Sequence, residues 1–382
     1  MRIGIVGGGI GGLSAAICLS RIGIETEVFE QASEIRERGA GVSLWPNATR
    51  VLAHMGLLPA CLAKSQPLSS LELVNCQGKR LLHTRIDQET TPVICMRRPD
   101  LLATLHAQVA DTSIYLNHKC TGITAAGTAV TVAFEGHGAR TFDAVIGADG
   151  ARSLVRSHVT GITQEPAYRG YSIWRGVAEC DLGDDSSTRI QETWGRGRRF
   201  GILPIGKKTL CWYATDTRST TADEPADHRK LELLGLFKGW PGPIPEIIRA
   251  TPAHDILQNG AADLGLRGPW FNQGVAILGD AAHPLTPNVG QGCCLALEDS
   301  LVLSLALQQT GEVARAFRLF GRARRKRAAA IVRATRWIGS VGQVRSKGAV
   351  FVRDQLLPAV FPLVYALAVR PIHHYDATKP VS

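Results

Sequence analysis

No Cys-x-x-Cys pair occurs among the nine cysteines (18, 61, 76, 95, 120, 180, 211, 293 and 294), and their number is odd. That argues against a disulfide framework or a zinc site; cysteines set in apolar runs read as reduced core thiols. No low-complexity tract and no internal repeat interrupts the 382 residues, so neither a solenoid nor a disordered tail organises the chain. No apolar run reaches the ~20 residues of a helical membrane span. The first strand starts at residue 2, leaving no room for a cleaved signal peptide, and the expectation is a cytoplasmic protein. Acid is missing altogether from Val313 to Arg353, where Arg315, Arg318, Arg322, Arg324, Arg325, Lys326, Arg327, Arg333, Arg336, Arg345, Lys347 and Arg353 are basic. The net charge of +10 gathers there. It reads as a solvated helix face, or as attraction for a nicotinamide dinucleotide, an acidic substrate or a lipid surface. No recognition fold or interleaving of aromatic with basic residues accompanies it, so nucleic acid is disfavoured. The length suggests two to three domains.

What is present is concentrated in the first thirty residues. Arg2-Ile3-Gly4-Ile5-Val6 reads as a buried parallel strand, followed by Gly7-Gly8-Gly9-Ile10-Gly11-Gly12. Leu13, Ala16 and Ile17 then recur at helical spacing, and a second strand, Thr26–Phe29, ends in Glu30 and Gln31. Gly7 allows a tight turn, Gly9 lets backbone approach a pyrophosphate, and Gly12 lets the helix close on the strand. The free N–H groups of the helix start, at Ile10 and Gly11, suit phosphate. Glu30 accepts from both ribose hydroxyls and repels a 2′-phosphate, so the resident dinucleotide should be FAD or NAD.

Further along, Gly39 and Gly41 suggest close backbone approach to a ligand in the loop from Arg36 to Asn47. Ser70–Val74 and Arg80–Leu82 form a small antiparallel excursion. Arg97-Arg98-Pro99 opens a helix, since proline is tolerated in the first turn. Ile114–Leu116 and Val130–Phe134 are further strands. Ala144–Gly147 leads into Asp149-Gly150, and Gly274–Leu278 leads into Gly279-Asp280. A turn through Pro287, Asn288, Val289, Gly290 and Gly292 follows, then a helix from Cys293 to Gln309. Both acids stand at carboxyl ends of parallel strands, where open α/β sheets bind ligands.

Gly7-x-Gly9-x-x-Gly12 with Glu30, the Asp149-Gly150 stretch and the Gly279-Asp280 stretch, in this order and spacing, resemble the single-component FAD-dependent monooxygenases of the p-hydroxybenzoate hydroxylase type. The likeness covers about residues 1–340. Arg36–Asn47, Tyr168–Gly176 and Pro287–Gly292 are most similar to the branch of salicylate and urate hydroxylases, alkylquinolone monooxygenases and carotenoid epoxidases. The resemblance implies an α/β fold: a Rossmann-like FAD-binding domain (1–70, 96–165 and 273–340), an inserted mixed β-sheet substrate domain (71–95 and 166–272) and a helical C-terminal segment (341–382). It implies non-covalent FAD, with NAD(P)H as a transient co-substrate, since no second G-x-G-x-x-G is present. Reduced flavin and dioxygen would give a C4a-hydroperoxide that hydroxylates or epoxidises an aromatic or polyene small molecule. A reductase without oxygen transfer is the alternative.

By the same resemblance Gly7, Gly9 and Gly12 hold the pyrophosphate, Glu30 the adenosine ribose and Asp280 a ribityl hydroxyl. Ser43 reaches the flavin side, and Arg98 (or its neighbour Arg97) contacts FAD. Cys120 lies near the adenine through its backbone. Asp149 touches FAD and NAD(P)H, or else caps the following helix. Gly290-Gln291-Gly292 aims a helix N-terminus at the flavin pyrimidine edge, where the dipole favours negative charge. Candidate pocket residues are Arg199, Cys211, Trp212, Tyr213, Trp45 and Pro287, although by alternation Trp212 faces away from Cys211 and Tyr213. Urate-hydroxylating relatives carry an acid where this chain has Asn288 and a tyrosine near Cys211, which argues against urate. His283 reads as a packing or backbone-bonding residue, and no general base stands out. The apolar tail Leu356–Val369, broken by Pro358 and Pro362, is expected to pack against the body, with an interfacial anchor or access lid as alternatives. The chain is expected to be a monomer or homodimer.

Overall fold

The computed structural model describes residues 1–36, 39–86, 91–109, 112–183, 186–219, 225–265 and 268–381. Glu37 and Arg38, in the loop singled out above, lie outside the described residues. In chain order the elements begin with β1 (Arg2–Val6), α1 (Ile10–Ser20), β2 (Glu25–Phe29), β3 (Gly41–Leu44), α2 (Pro46–His54), α3 (Leu58–Leu62) and β4 (Ser65–Leu68). Next come β5 (Ser70–Asn75), β6 (Arg80–Arg85), β7 (Val93–Arg97), α4 (Arg98–His106), β8 (Ser113–Tyr115), β9 (Cys120–Ala126) and β10 (Ala129–Phe134). They continue with β11 (Gly138–Phe142), β12 (Ala144–Gly147), α5 (Leu154–Thr160), β13 (Ala167–Glu179), β14 (Arg189–Trp194), β15 (Arg198–Pro204) and β16 (Thr209–Thr217). Then follow α6 (Ala226–Leu236), α7 (Ile244–Ala250), β17 (Leu257–Asp263), β18 (Phe271–Asn272) and β19 (Val275–Ile277). The helices α8 (Gly292–Thr310), α9 (Val313–Gly342), α10 (Lys347–Val364) and α11 (Arg370–His373) complete the chain.

Strand composition sorts these into sheets. β1, β12 and β19 are short, β-branched and almost wholly buried, which is how a strand covered on both faces reads. They form the centre of a six-stranded sheet, β18-β19-β12-β1-β2-β8, parallel except for β18. Beside it β11-β10-β9 and β3-β7-β4 form two antiparallel three-stranded sheets. The alternating strands from 167 to 217 build a seven-stranded sheet, β17-β13-β16-β15-β14-β5-β6. It is mixed: all pairs are antiparallel except β5 with β14. The excursion at 70–85 therefore lies in this sheet.

The two largest cores among the described residues follow from that layout. The larger lies between the parallel sheet and helices α1, α2, α4 and α8. The smaller, around Trp174, Phe200 and Trp212, is capped by α6 and α7 through Phe237, Ile244 and Ile248. Trp212 donates its indole N–H to Thr251 Oγ1 at 2.8 Å inside this second core, so it is not a pocket residue. The pleat sends it to the opposite face from Cys211 and Tyr213. All nine cysteines are free, five of them buried.

Two corrections concern the C-terminal third. The basic run of α9 is not simply a solvated face. Arg315, Arg318, Arg322, Arg325 and Arg333 are exposed, but Arg324 is fully buried among Phe317, Phe320, Ala328 and Ile331. The apolar tail is not broken at its prolines. Helix continues through Pro358 and Pro362, loosens into a π-turn at Tyr365–Val369, and ends at His373. A π-turn absorbs the backbone irregularity that a missing N–H creates. The stretch Lys347–His373 is thus one 27-residue helix, long and apolar enough by length and composition to cross a membrane.

Candidate functional site: a dinucleotide cradle facing a polar sheet

Three turns meet at the carboxyl edge of the parallel sheet. The first is the glycine turn. Gly7 has φ +110°, and a Cβ there would lie 2.4 Å from the carbonyl oxygen of Ala148, in the second turn. A Cβ on Gly12 would lie 1.9 Å from the carbonyl oxygen of Gly7. Among the described residues, by contrast, nothing lies within 4 Å of where a Cβ on Gly9 would sit. The glycines therefore split by role: Gly7 and Gly12 let protein pack on protein, while Gly9 leaves backbone open toward a ligand. No side chain caps α1 and no acid sits in its first turn, so its N–H groups remain free for phosphate. Glu30 closes the turn from the side, accepting from the N–H of Gly8 at 2.7 Å and of Ala32 at 2.9 Å. Gln31 is exposed beside it, and Ile10 is buried beneath.

The second turn follows β12. Asp149 accepts from the N–H of Leu154 at 2.8 Å and of Val155 at 3.1 Å, and from the Ser153 hydroxyl. Its carboxylate is thus committed to the start of α5. Burial pushes its carboxyl above the usual range against those hydrogen bonds. Arg156, unassigned by sequence reasoning, stitches this turn to the third. Its guanidinium donates to the carbonyls of Ala151 at 2.7 Å and Ala281 at 3.1 Å. Cys120 begins β9 nearby, its thiol pushed up to about 11 by burial.

The third turn, Gly279–Ala281, follows β19 and leaves Asp280 exposed at the edge. Beneath it is a buried charge network. Asp299 accepts from the Gly279 N–H at 3.0 Å, contacts His283 Nε2 at 2.6 Å and accepts from Arg324 Nε at 2.6 Å. Arg324 also pairs with Glu298 at 2.6 Å, as does Arg327. Asn47 donates to Glu298 at 2.5 Å and to Gln291 at 2.8 Å. Burial opposes ionisation of Asp299, but the His283 and Arg324 charges overcome it and hold the carboxyl well below the usual range. His283 serves this network through a carboxylate rather than the backbone, and is no candidate base.

The network supports the N-terminus of α8, which again has no side-chain cap and no acid in its first turn. Gly290 has φ +61°, and a Cβ there would lie 2.7 Å from Ser43 Oγ and 3.3 Å from Trp45 Nε1. Among the described residues nothing lies within 4 Å of the Cβ position on Gly292. Three buried polar atoms around this helix start, Trp45 Nε1, Gln291 Nε2 and Asn47 Oδ1, have no partner among the described residues. Two are donors and one an acceptor, the mixture that a flavin's pyrimidine edge would answer. Arg98, at the start of α4, packs its stem against Gly39, 3.1 Å from where a Cβ would sit, whereas Arg97 is exposed.

Across from α8 the seven-stranded sheet presents Arg199, 2% exposed. It donates to Asn288 Oδ1, and to Glu192 at 3.3 Å. Asn288 donates to the Tyr171 hydroxyl at 3.0 Å and the Thr286 hydroxyl at 2.9 Å. Tyr213 shares this face; burial and the Glu192 carboxylate push its phenol well above the usual range, so it stays a donor. Cys211 lies on the same face but packs against Gly41, near Cys95 and Cys294. Pro287 opens the turn before α8 and is exposed. Trp45 is stacked instead on His373, ring centroids 3.7 Å apart. That histidine comes from the end of the C-terminal helix and is buried, and sequence reasoning did not find it.

Gly9, α1 and Glu30 fit the adenosine pyrophosphate end of FAD, and the α8 start fits the flavin end. The chain matches the family described as FAD binding domain over residues 1–337 and belongs to it. It is 34% identical to the aurachin C monooxygenase/isomerase of Stigmatella aurantiaca, covering 92% of each chain. It is 32% identical to the 3-hydroxybenzoate 6-hydroxylase of Klebsiella oxytoca, covering 89% of this chain and 88% of that one. Its structure is similar to that of Klebsiella pneumoniae HpxO complexed with FAD and uric acid, with TM-score 0.89, 25% identity and coverage of 98% and 97%. The fold is that of the p-hydroxybenzoate hydroxylase type, and the chain is a class A flavin-dependent monooxygenase.

Two measurable consequences arise here. Asp280→Ala should weaken FAD binding by about 1.5–3 kcal/mol, the range of a hydrogen bond to a charged group, with the apoprotein still folded. Unchanged affinity by fluorescence titration would remove Asp280 from the site. Burial, with His374 and Arg327 nearby, lowers the His373 pKa to about 3. The unfolded chain binds a proton below about pH 6.5 and the folded one does not, so this contribution is complete above pH 6.5 and shrinks on acidification by up to ~1.4 kcal/mol per unit. His373→Phe, which keeps the stack on Trp45, should flatten the stability profile between pH 7 and 5. Parallel profiles for the two proteins would refute this.

Proposed function

We propose that this monooxygenase inserts one oxygen atom into an aromatic or conjugated, largely apolar small molecule bound between the start of α8 and the Arg199–Tyr213 face of the sheet. The observation that carries the reading is the opposition of two surfaces. One offers free helix N–H groups and unpartnered buried polar atoms; the other a buried guanidinium and a phenol that remains protonated. The chemistry that FAD supplies in such a place is hydride acceptance from NAD(P)H and delivery of two electrons to dioxygen. The balance is substrate–H + O2 + NAD(P)H + H+ giving substrate–OH + H2O + NAD(P)+.

This chain's own residues position and polarise. The dipole and N–H groups of α8 favour negative charge beside them. Arg199 is fixed by Asn288 and Glu192, so it meets a guest in one orientation. Asn288 is neutral, which suits an uncharged ring better than an anionic purine. Relatives named for aurachin C and 3-hydroxybenzoate support a ring substrate. The test is a panel of bicyclic and monocyclic aromatics and polyenes, scored for accelerated NAD(P)H oxidation and for a product heavier by one oxygen. Acceleration with that mass gain supports the reading. Acceleration with hydrogen peroxide as the sole product, or oxidation of urate alone, contradicts it.

A further inference from the structure

The helix from Lys347 to His373 carries two stripes. One faces the protein: Leu357, Val369 and Ile372 enter a core with Leu73, Trp194, Leu295 and Ile338. On the same side Arg353 and Asp354 pair with each other at 2.8 Å, Arg353 donates to the Gly195 carbonyl at 3.2 Å, and Asn75 donates to Asp354 at 3.3 Å. The charges inside this helix are therefore turned inward and neutralised. The other stripe faces out. Val352, Leu356, Val360, Leu363 and Leu367 recur every three or four residues, with exposures from 46% to 71%, and Phe351 beside them is 66% exposed. Among residues 348–369 no exposed side chain is charged. Scattered exposed leucines are ordinary, but an unbroken apolar stripe along a helix of ~40 Å marks a surface that meets something.

The rim says what. Arg345 and Lys347 are exposed at one end of the stripe and Arg370 at the other. From Val313 to Tyr375 the single acid is the buried Asp354. A second copy docking face to face would bring these cationic ends together, because a two-fold interface pairs a patch with itself. An anionic bilayer answers both features, taking the apolar stripe at the headgroup–acyl boundary and the basic ends at the headgroups. The inward stripe is held by the protein core, so the helix lies along the surface rather than crossing it. We propose that the outward face of this helix docks the enzyme on an anionic lipid surface. Its end, His373, stacks on Trp45 beside Gly290, so docking fixes a wall of the flavin site and suits a substrate that partitions into lipid.

The test is flotation of the FAD-loaded full-length protein with phosphatidylcholine vesicles, with and without about one third phosphatidylglycerol. The enzyme should float with the anionic vesicles only, and salt at several hundred millimolar should release it. Leu356→Glu/Leu363→Glu/Leu367→Glu should cut vesicle affinity at least tenfold, with flavin content and thermal midpoint unchanged. Arg345→Gln/Lys347→Gln/Arg370→Gln should weaken it without altering the apolar stripe. The proposal falls if the wild type stays soluble with both vesicle types, if neutral vesicles bind it equally, if the triple-glutamate variant still floats, or if that variant converts a dimer to a monomer.

Discussion

Gly12→Ala should yield a chain that no longer retains FAD, the largest single-site effect expected here. A methyl group at this position would stand 1.9 Å from the Gly7 carbonyl oxygen, about half an ordinary contact distance. Backbone cannot move aside as a side chain can. Either α1 is pushed off β1 or the glycine turn reorganises, and both outcomes remove the N–H groups that meet the pyrophosphate. The expected reading is loss of the yellow colour on purification and at least a hundredfold fall in affinity on titration with FAD. Gly9→Ala separates binding from folding. Among the described residues nothing lies within 4 Å of its Cβ position, so the apoprotein should melt at the wild-type temperature while FAD affinity still drops. A fully loaded Gly12→Ala protein would mean that the helix does not close on the turn as described.

Asp299→Ala should cost about 3–5 kcal/mol of stability, the range for removing one partner from a buried ion pair. Arg324 and Glu298 are both fully buried, and Asp299 supplies the second carboxylate that balances the Arg324 and Arg327 guanidiniums. Removing it leaves surplus positive charge in the core and deprives the Gly279 N–H of its acceptor. Against a typical total of about 5–15 kcal/mol, urea denaturation should move far to lower concentration. FAD affinity should fall with it, since the turn bearing Asp280 rests on that hydrogen bond. The sign with pH follows from the depressed carboxyl: the contribution is complete above the unfolded carboxylate range near pH 4 and is lost as pH falls below it. Asp299→Asn, which keeps the shape, should recover part of the loss but not its pH dependence. An unchanged denaturation midpoint for Asp299→Ala would refute the network's role.

The strands and the three turns were legible because their signals are local. A short buried apolar strand before the glycine turn placed β1, and one before each acid placed β12 and β19; the resemblance implied the mixed sheet of 166–272, and pleat parity already set Trp212 apart from Tyr213. What was not legible lies in pairs far apart in sequence. Arg156 reaches across 125 residues to Ala281, and Asn47 across 251 to Glu298. One signal was available. Arg324 falls on the apolar stripe Phe317, Phe320, Ala328, Ile331 of α9, and Glu298-Asp299 interrupts the otherwise apolar α8. Charges on two buried faces need each other. The C-terminal helix was obscured for a different reason. Two prolines read as breaks, but the helix tolerates each at a local cost in hydrogen bonds and gathers the irregularity into one π-turn.

The most direct measurement is titration of the apoprotein with FAD, followed by flavin fluorescence, for the wild type alongside Gly9→Ala and Asp280→Ala. One FAD should bind per chain, with affinity lowered by each substitution while both variants remain folded, if the first and third turns hold opposite parts of the same cofactor. A wild-type chain that takes up no FAD, or one whose uptake ignores both substitutions, would contradict it.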